Sequence, residues 1–94
     1  ISPSDRSKWT GDNDLANTVE HIANKKLGEM NRSGLVGESN LMLLEKDGVS
    51  LGIRNSGTQA KTNVSLRVAS GKDYSDALAA MDQIVKALRV ELSN

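Results

Sequence analysis

Apolar residues recur every three or four positions in two long segments of the chain. In the first segment, residues 12–32, these positions are Leu15, Val19, Ile22, Ala23, Leu27 and Met30. This spacing places them on one face of an amphipathic helix. Asp12, Asn13 and Asp14 precede the stripe and are candidate N-caps. Gly28 costs a helix about 1 kcal/mol relative to alanine, so the last turn is expected to fray.

The second segment, residues 73–92, has an even more regular stripe. Its apolar positions are separated by four, three, four, three and four residues: Tyr74, Leu78, Met81, Val85, Leu88 and Leu92. The pattern predicts a second helix with Asp73 as its N-cap. Dimerising coiled coils have the same heptad spacing, but a stripe of fewer than three heptads favours packing against the domain's own sheet.

Three short segments between the helices are predicted to be β-strands: residues 41–46, 49–54 and 63–69. In the second and third, apolar and polar residues alternate, as in a strand with one buried face. The apolar positions are Val49, Leu51, Ile53, Val64, Leu66 and Val68. The connection at residues 55–62 is longer than the others and is the better candidate for a mobile or functional loop.

Asp47-Gly48 indicates a two-residue hairpin turn between the first two strands, because both turn positions require positive φ angles. Such a turn determines the register. Leu44 then lies opposite Leu51 on the core face, and Leu43 lies opposite Gly52 on the other face.

On that other face, Leu41 and Leu43 are expected to form a small apolar patch beside Gly52. The surrounding side chains are polar or charged: Glu45, Ser50, Arg54, Ser65 and Arg67. An exposed apolar patch on a small domain is typical of a binding surface. Two alternatives stay open at this stage: the turn is looser than two residues, or a terminal segment covers the patch.

Together these elements predict an α+β fold with the order α-β-β-β-α. We expect a two-layer sandwich in which a three-stranded antiparallel sheet carries two helices on one face. Residues 1–11 are polar and are predicted to form a flexible N-terminal arm, with residues 12–94 as a single domain. The predicted core comprises Leu15, Val19, Ile22, Leu27, Met42, Leu44, Leu51, Ile53, Val64, Leu66, Val68, Leu78, Met81, Val85 and Leu88.

Composition excludes several classes of protein. No apolar run approaches the roughly 20 residues of a membrane-spanning helix. The chain has 12 basic and 12 acidic residues, whereas proteins that bind mainly phosphate groups usually carry a basic excess. It has no cysteine, which excludes disulfides and thiolate chemistry. Because an initiator methionine is not normally removed before isoleucine, Ile1 favours a processed or secreted polypeptide; a cytoplasmic one stays open.

Few residues suggest catalysis or cofactor binding. His21 is the one histidine, so a metal site would need carboxylates for almost all its ligands. Asp12 and Asp14 are better explained as helix caps than as part of a calcium loop, whose other required residues are missing. Asp73 and Asp76 would lie at an exposed helix start, where nothing raises a carboxylate pKa. We expect no catalytic residues, no metal and no cofactor.

Two resemblances concern the order of elements and one short stretch. The helix–strands–helix order resembles the double-stranded RNA-binding domain, which implies phosphate contacts at the start of the second helix. In this sequence that position reads GKDYSD, residues 71–76, with two acidic groups. Residues 69–92 resemble the end of ribosome hibernation factors, although the opening strand and the basic helices of that family are missing.

The function expected from these observations is non-enzymatic protein binding. The predicted partner-binding residues are Trp9, Leu41, Leu43, Gly52, Arg54 and Arg67. They would bind a protein partner or a second copy of the chain through the outer sheet face, as in toxins, inhibitors or effectors. A tryptophan just before a helix start more often packs back on the helix than it anchors a partner, so both interpretations of Trp9 are kept. The alternative function is RNA or ribosome binding through Lys25, Lys26, Arg32, Arg54 and Arg67.

Overall fold

The computed structural model describes residues 1–35, 37, 39–71 and 74–93. Two helices and four strands follow a short 3-10 turn at Arg6–Lys8. The elements are α1 (Asp14–Leu27), β1 (Asn31–Leu35), β2 (Leu41–Lys46), β3 (Val49–Asn55), β4 (Thr62–Val68) and α2 (Ser75–Leu92). The α+β class is therefore confirmed, but the expected three-stranded sheet is wrong, since the order is α-β-β-β-β-α. No helix in the described part of the chain is long and apolar enough to cross a membrane.

The sheet is an antiparallel meander with the strand order β1-β2-β3-β4. Asp47 and Gly48 both have positive φ angles, 49° and 80°, as a two-residue turn requires. The predicted register is confirmed: Leu43 pairs with Gly52 and Leu44 pairs with Leu51. Because side chains alternate along each strand, this register separates the leucines of β2 onto opposite faces.

β1 lies where the first helix was predicted to continue. That helix ends at Leu27, because Gly28 adopts a φ of 82° that is incompatible with further helix. The side chain of Asn24 then accepts a hydrogen bond from the Met30 amide at 2.9 Å. β1 was not predicted, because it is an exposed edge strand of mainly polar residues without apolar alternation.

The two helix starts differ in how they are capped. Asn13 is the N-cap of α1, and its side-chain oxygen accepts a hydrogen bond from the amide of Ala16 at 3.2 Å, which confirms one of the three candidates. α2 begins at Ser75, after Tyr74 in the N-cap position. Asp73, the predicted cap, lies outside the described residues.

The face of α2 that packs inward differs from the predicted heptad stripe. The fully buried residues are Ala77, Ala80, Ile84, Leu88 and Leu92, whereas Leu78 is 47% exposed. Leu78 was therefore wrongly assigned to the core. The apolar surface of α2 is wider than one stripe, and its fully buried part lies to one side of the predicted stripe, toward Ala77 and Ala80.

One core cluster joins both helices to the sheet. Most of the predicted core residues belong to it, fully buried (Val19, Met42, Leu44, Leu51, Ile53, Leu88) or partly buried (Leu15, Ile22, Leu27, Val64, Leu66, Met81). Val68 and Val85 are half-buried. The cluster also contains residues that are absent from the predicted core list: Trp9, Ala16, Ala23, Met30, Ile84 and Leu92. Because the β2 and β3 members project from one face, both helices cover that face.

The first eleven residues, for which a flexible arm is predicted, are hydrogen-bonded to the rest of the domain. Ile1 and Thr62 exchange two bonds: the N-terminal amine donates to the Thr62 carbonyl at 2.8 Å, and the Thr62 amide donates to the Ile1 carbonyl at 3.0 Å. The amide of Asp5 donates to the carbonyl of Leu92 at 2.8 Å. This segment therefore closes one end of the core.

Candidate protein-binding face of the sheet

The side chains that project away from the helices form the outer face of the sheet. By alternation and register, this face consists of Asn31, Ser33 and Leu35 from β1, Leu41, Leu43 and Glu45 from β2, Ser50, Gly52 and Arg54 from β3, and Asn63, Ser65 and Arg67 from β4. Five of the six predicted partner-binding residues lie here. In the described part of the chain, no helix or strand covers this face.

Three neighbouring leucines form the apolar part of the outer face, which we call the leucine patch. Leu35 pairs with Leu41 across β1 and β2, and Leu43 follows Leu41 on the same face. Leu35 is 75% exposed, and the other two are half-buried. Leu35 was absent from the prediction because β1 itself was not recognised. The register now extends the predicted patch to the edge of the sheet.

Gly52 leaves a notch beside the leucine patch. A β-carbon at this position would lie 3.1 Å from Ser65 Oγ and 3.8 Å from Leu43 Cδ1. A depression of about 310 Å³ lies over this glycine, lined by Leu41, Leu43, Glu45, Ser50, Gly52, Ser65 and Arg67. A second depression of about 400 Å³ lies on the other side of Leu41, beside Leu35 and Arg54. Leu41 therefore separates two adjoining hollows.

Charged side chains surround the leucine patch. Glu45, Arg54 and Arg67 are exposed, and the ion pairs among the described residues, Glu20–Arg32 and Asp82–Lys86, involve none of them. Their hydrogen-bonding groups are therefore available to a ligand. An apolar centre with a charged rim is the usual arrangement of a protein interface.

Trp9 does not contribute to this surface. Its side chain is fully buried, its Nε1 donates to the Asn40 carbonyl at 2.8 Å, and its own carbonyl accepts from the side-chain amides of Asn40 and Asn55. A fully buried indole has no surface with which to contact a partner. The partner-anchor assignment of Trp9 therefore does not fit this structure, and Trp9 belongs to the core instead.

A buried polar network holds the N-terminal segment and the 55–62 connection together. The hydroxyls of Ser4 and Thr62 lie 2.7 Å apart, and Thr62 donates to Asn55 Oδ1 at 2.9 Å. Asn55 Nδ2 then donates to the carbonyls of Arg6 and Trp9. All these polar groups are satisfied inside the protein, so the network is structural and the outer face remains the stronger functional candidate.

The five basic residues of the RNA-binding alternative do not form one surface. Arg32 projects from the inner side of β1 and contacts α1, with 3.1 Å to Glu20 Oε1 and 2.8 Å to Asn17 Oδ1. Lys25 and Lys26 are exposed at the end of α1. Arg54 and Arg67 lie on the opposite side of the sheet. Binding to a phosphate backbone needs basic groups on a common surface.

One carboxyl group of the N-terminal segment, that of Asp5, is hydrogen-bonded by a neighbouring serine. The hydroxyl and the amide of Ser7 both donate to Asp5, and these hydrogen bonds hold the pKa of that carboxyl below its ordinary value of 3.8. Within the described ranges, no group of three or more His, Asp or Glu residues is placed to hold a metal ion. Asp73, one member of the Asp73–Asp76 pair considered above, lies outside those ranges.

Comparison with known protein families, curated proteins and solved structures found no match to this chain.

Proposed function

We propose that this domain is a non-enzymatic protein-binding module that binds its partner through the outer face of the sheet. The leucine patch is the observation that supports this function. Leu35, Leu41 and Leu43 lie side by side on a face that no described helix or strand covers. Burial of apolar surface at about 25 cal/mol per Å² provides the driving force for such binding.

The two hollows beside Leu41 suggest how a partner is held. Interface anchors are large side chains that fill pockets in the centre of a contact. The notch at Gly52 accepts one such side chain between Leu43 and Ser65, and Glu45 and Arg67 flank it with opposite charges. Polar groups of the partner can therefore fix its orientation while its apolar anchor supplies the affinity.

A selection experiment with a random-peptide library tests the proposal and needs no identified partner. Peptides are selected on the wild-type protein, and their affinities are then compared for the Leu43→Asp and Val90→Asp variants. Val90 is a matched control, because it is 80% exposed but lies on α2. We expect most selected peptides to lose at least about tenfold in affinity for Leu43→Asp and to keep their affinity for Val90→Asp.

Circular dichroism checks that both variants retain the wild-type helix content. Peptides that bind Leu43→Asp as well as the wild type would refute the outer face as the binding surface. Membership of the secreted or processed toxins, inhibitors and effectors remains a prediction from the sequence.

A further inference from the structure

The outer edge of β4 carries unpaired backbone groups. The amide and carbonyl of Thr62 point away from β3, since both bond to Ile1. The Ala69 amide instead points toward the neighbouring hairpin and donates to the Gly48 carbonyl at 2.8 Å. Backbone direction alternates along an antiparallel strand. The amides and carbonyls of Val64, Leu66 and Val68 therefore point away from β3, outward from the edge of the sheet. None of the backbone hydrogen bonds between described elements satisfies them.

Apolar side chains of α2 lie beside this edge. α2 packs against β4 on one side and α1 on the other, and Ala87 lines the groove that faces α1. Leu78 is nine positions from Ala87 (78 to 87), or about two and a half helical turns, so it lies on the flank away from α1. Val85 shares that flank, seven positions after Leu78. Leu78 is 47% exposed and Val85 is half-buried.

The opposite edge of the sheet is less suited to pairing. By the same alternation, β1 offers the outward backbone groups of Arg32 and Gly34 among the described residues. β1 is short, and it carries an arginine and a glycine. Native proteins use such features to protect edge strands. β4 has seven residues and half-buried Val64, Leu66 and Val68 beside its open edge.

We propose that a second copy of this chain pairs with the β4 edge about a two-fold axis. The two β4 strands run antiparallel with Leu66 opposite Leu66 of the second copy, and Val64 opposite Val68 of the second copy. The result is a continuous eight-stranded sheet joined by up to about six backbone hydrogen bonds. The Leu78–Val85 flanks of the two α2 helices then pack together on the inner side.

The register of this pairing makes the edge complementary to itself, as a two-fold interface requires. The inner-face positions across the contact are all valine or leucine. On the outer face Arg67 lies opposite Ser65 of the second copy, so no like charges lie directly opposite each other. The paired segment of the second copy ends at its Val68, opposite Val64. Thr62 therefore keeps its hydrogen bonds to Ile1. Ile1 already pairs with the first residue of this edge through two backbone hydrogen bonds.

Analytical ultracentrifugation of the wild type and two charged variants tests the pairing. We expect a wild-type species of twice the 10.1 kDa chain mass that dissociates on dilution. Leu78→Lys should raise the dimer dissociation constant by at least about tenfold, and Val90→Lys, on another side of the same helix, should leave it unchanged. A wild type that stays monomeric at millimolar concentration, or equal effects of the two substitutions, would overturn the proposal.

Amide hydrogen exchange followed residue by residue provides a second readout that does not depend on a variant. The outward amides of Val64, Leu66 and Val68 should become protected as the protein concentration rises, and those of Arg32 and Gly34 should not. Exchange at Val64, Leu66 and Val68 that is independent of concentration would contradict β4 pairing. Leu43→Asp lies outside this contact and should still dimerise, so failure here and failure of the outer-face proposal are distinguishable.

Discussion

Leu43 and Leu44 are neighbours in β2, yet they belong to regions with different roles. Leu44 is fully buried beneath both helices, whereas Leu43 is half-buried on the outer face, beside the notch at Gly52. The inner face is closed by two helices and, at one end, by the N-terminal segment. The outer face retains apolar residues that the fold does not need to bury, which makes it the better candidate for function.

The largest expected effect is on stability, and it differs between substitutions of Leu44 and of Leu43. Leu44→Ala should lower the free energy of unfolding by about 2 to 5 kcal/mol, because it opens a cavity in the core. Leu43→Ala should cost less than about 1 kcal/mol, since its side chain already contacts solvent on one side. Urea denaturation of both variants measures the difference. Equal losses would show that the two faces are equally structural.

The next largest effect on stability is expected for the buried polar network around Asn55, at the end of the core that the N-terminal segment closes. Asn55→Ala removes the donor to the Arg6 and Trp9 carbonyls and the acceptor for Thr62. Leaving such buried groups unpaired should cost about 1 to 3 kcal/mol. Hydrogen exchange should also become faster in residues 1–11. Unchanged exchange in that segment would mean that the network does not hold it in place.

Gly34 and Gly52 allow a similar comparison at positions without a side chain. A β-carbon at Gly34 would collide with the Leu41 carbonyl oxygen, so Gly34→Ala should destabilise the protein by about 1 to 3 kcal/mol. At Gly52 the nearest atom is Ser65 Oγ at 3.1 Å, and rotation of that side chain can relieve the contact. Gly52→Ala should therefore change stability by less than about 1 kcal/mol but make the notch shallower and weaken peptide binding. Thermal melts and the peptide assay separate the two effects, and normal peptide binding by Gly52→Ala would exclude the notch as an anchor site.

The smallest expected effect concerns pH and the N-terminal segment. The pKa of Asp5 is lowered in the folded state by hydrogen bonds from Ser7. The stabilisation is therefore fully present above the ordinary value of 3.8 and is lost as the pH falls through the lower folded-state pKa. Ser7→Ala should raise the pKa of Asp5 toward that ordinary value in an NMR titration. An unchanged pKa would show that these hydrogen bonds do not persist in solution.

The parts of the fold that follow strong local rules were predictable from the sequence. Asp47-Gly48 determines a turn, and the turn determines which leucine of β2 faces outward. β1 was not predictable, because an exposed edge strand needs no apolar alternation. The orientation of α2 was also missed, since the small residues Ala77 and Ala80 are buried while the exposed Tyr74 and Leu78 give the stronger hydrophobic signal.

The residues of the candidate site could be predicted from the sequence wherever the pairing of the strands could be predicted. Leu41, Leu43, Gly52, Arg54 and Arg67 share the outer face because alternation along correctly assigned strands requires it. Leu35 was missed together with its strand. The hydrogen bonds that Trp9 makes with Asn40 and Asn55 join residues that are remote in sequence, and no local pattern reports such contacts.

Chemical-shift mapping of one selected peptide on the ¹⁵N-labelled protein tests the central claim most directly. The outer-face claim predicts that the largest shifts occur at Ser33, Leu43, Gly52 and Ser65, at the centre of that face, and that α1 and the far side of α2 change little. Large shifts confined to the helices, with the amides of Leu43 and Gly52 unchanged, would contradict the claim that the outer face binds the partner.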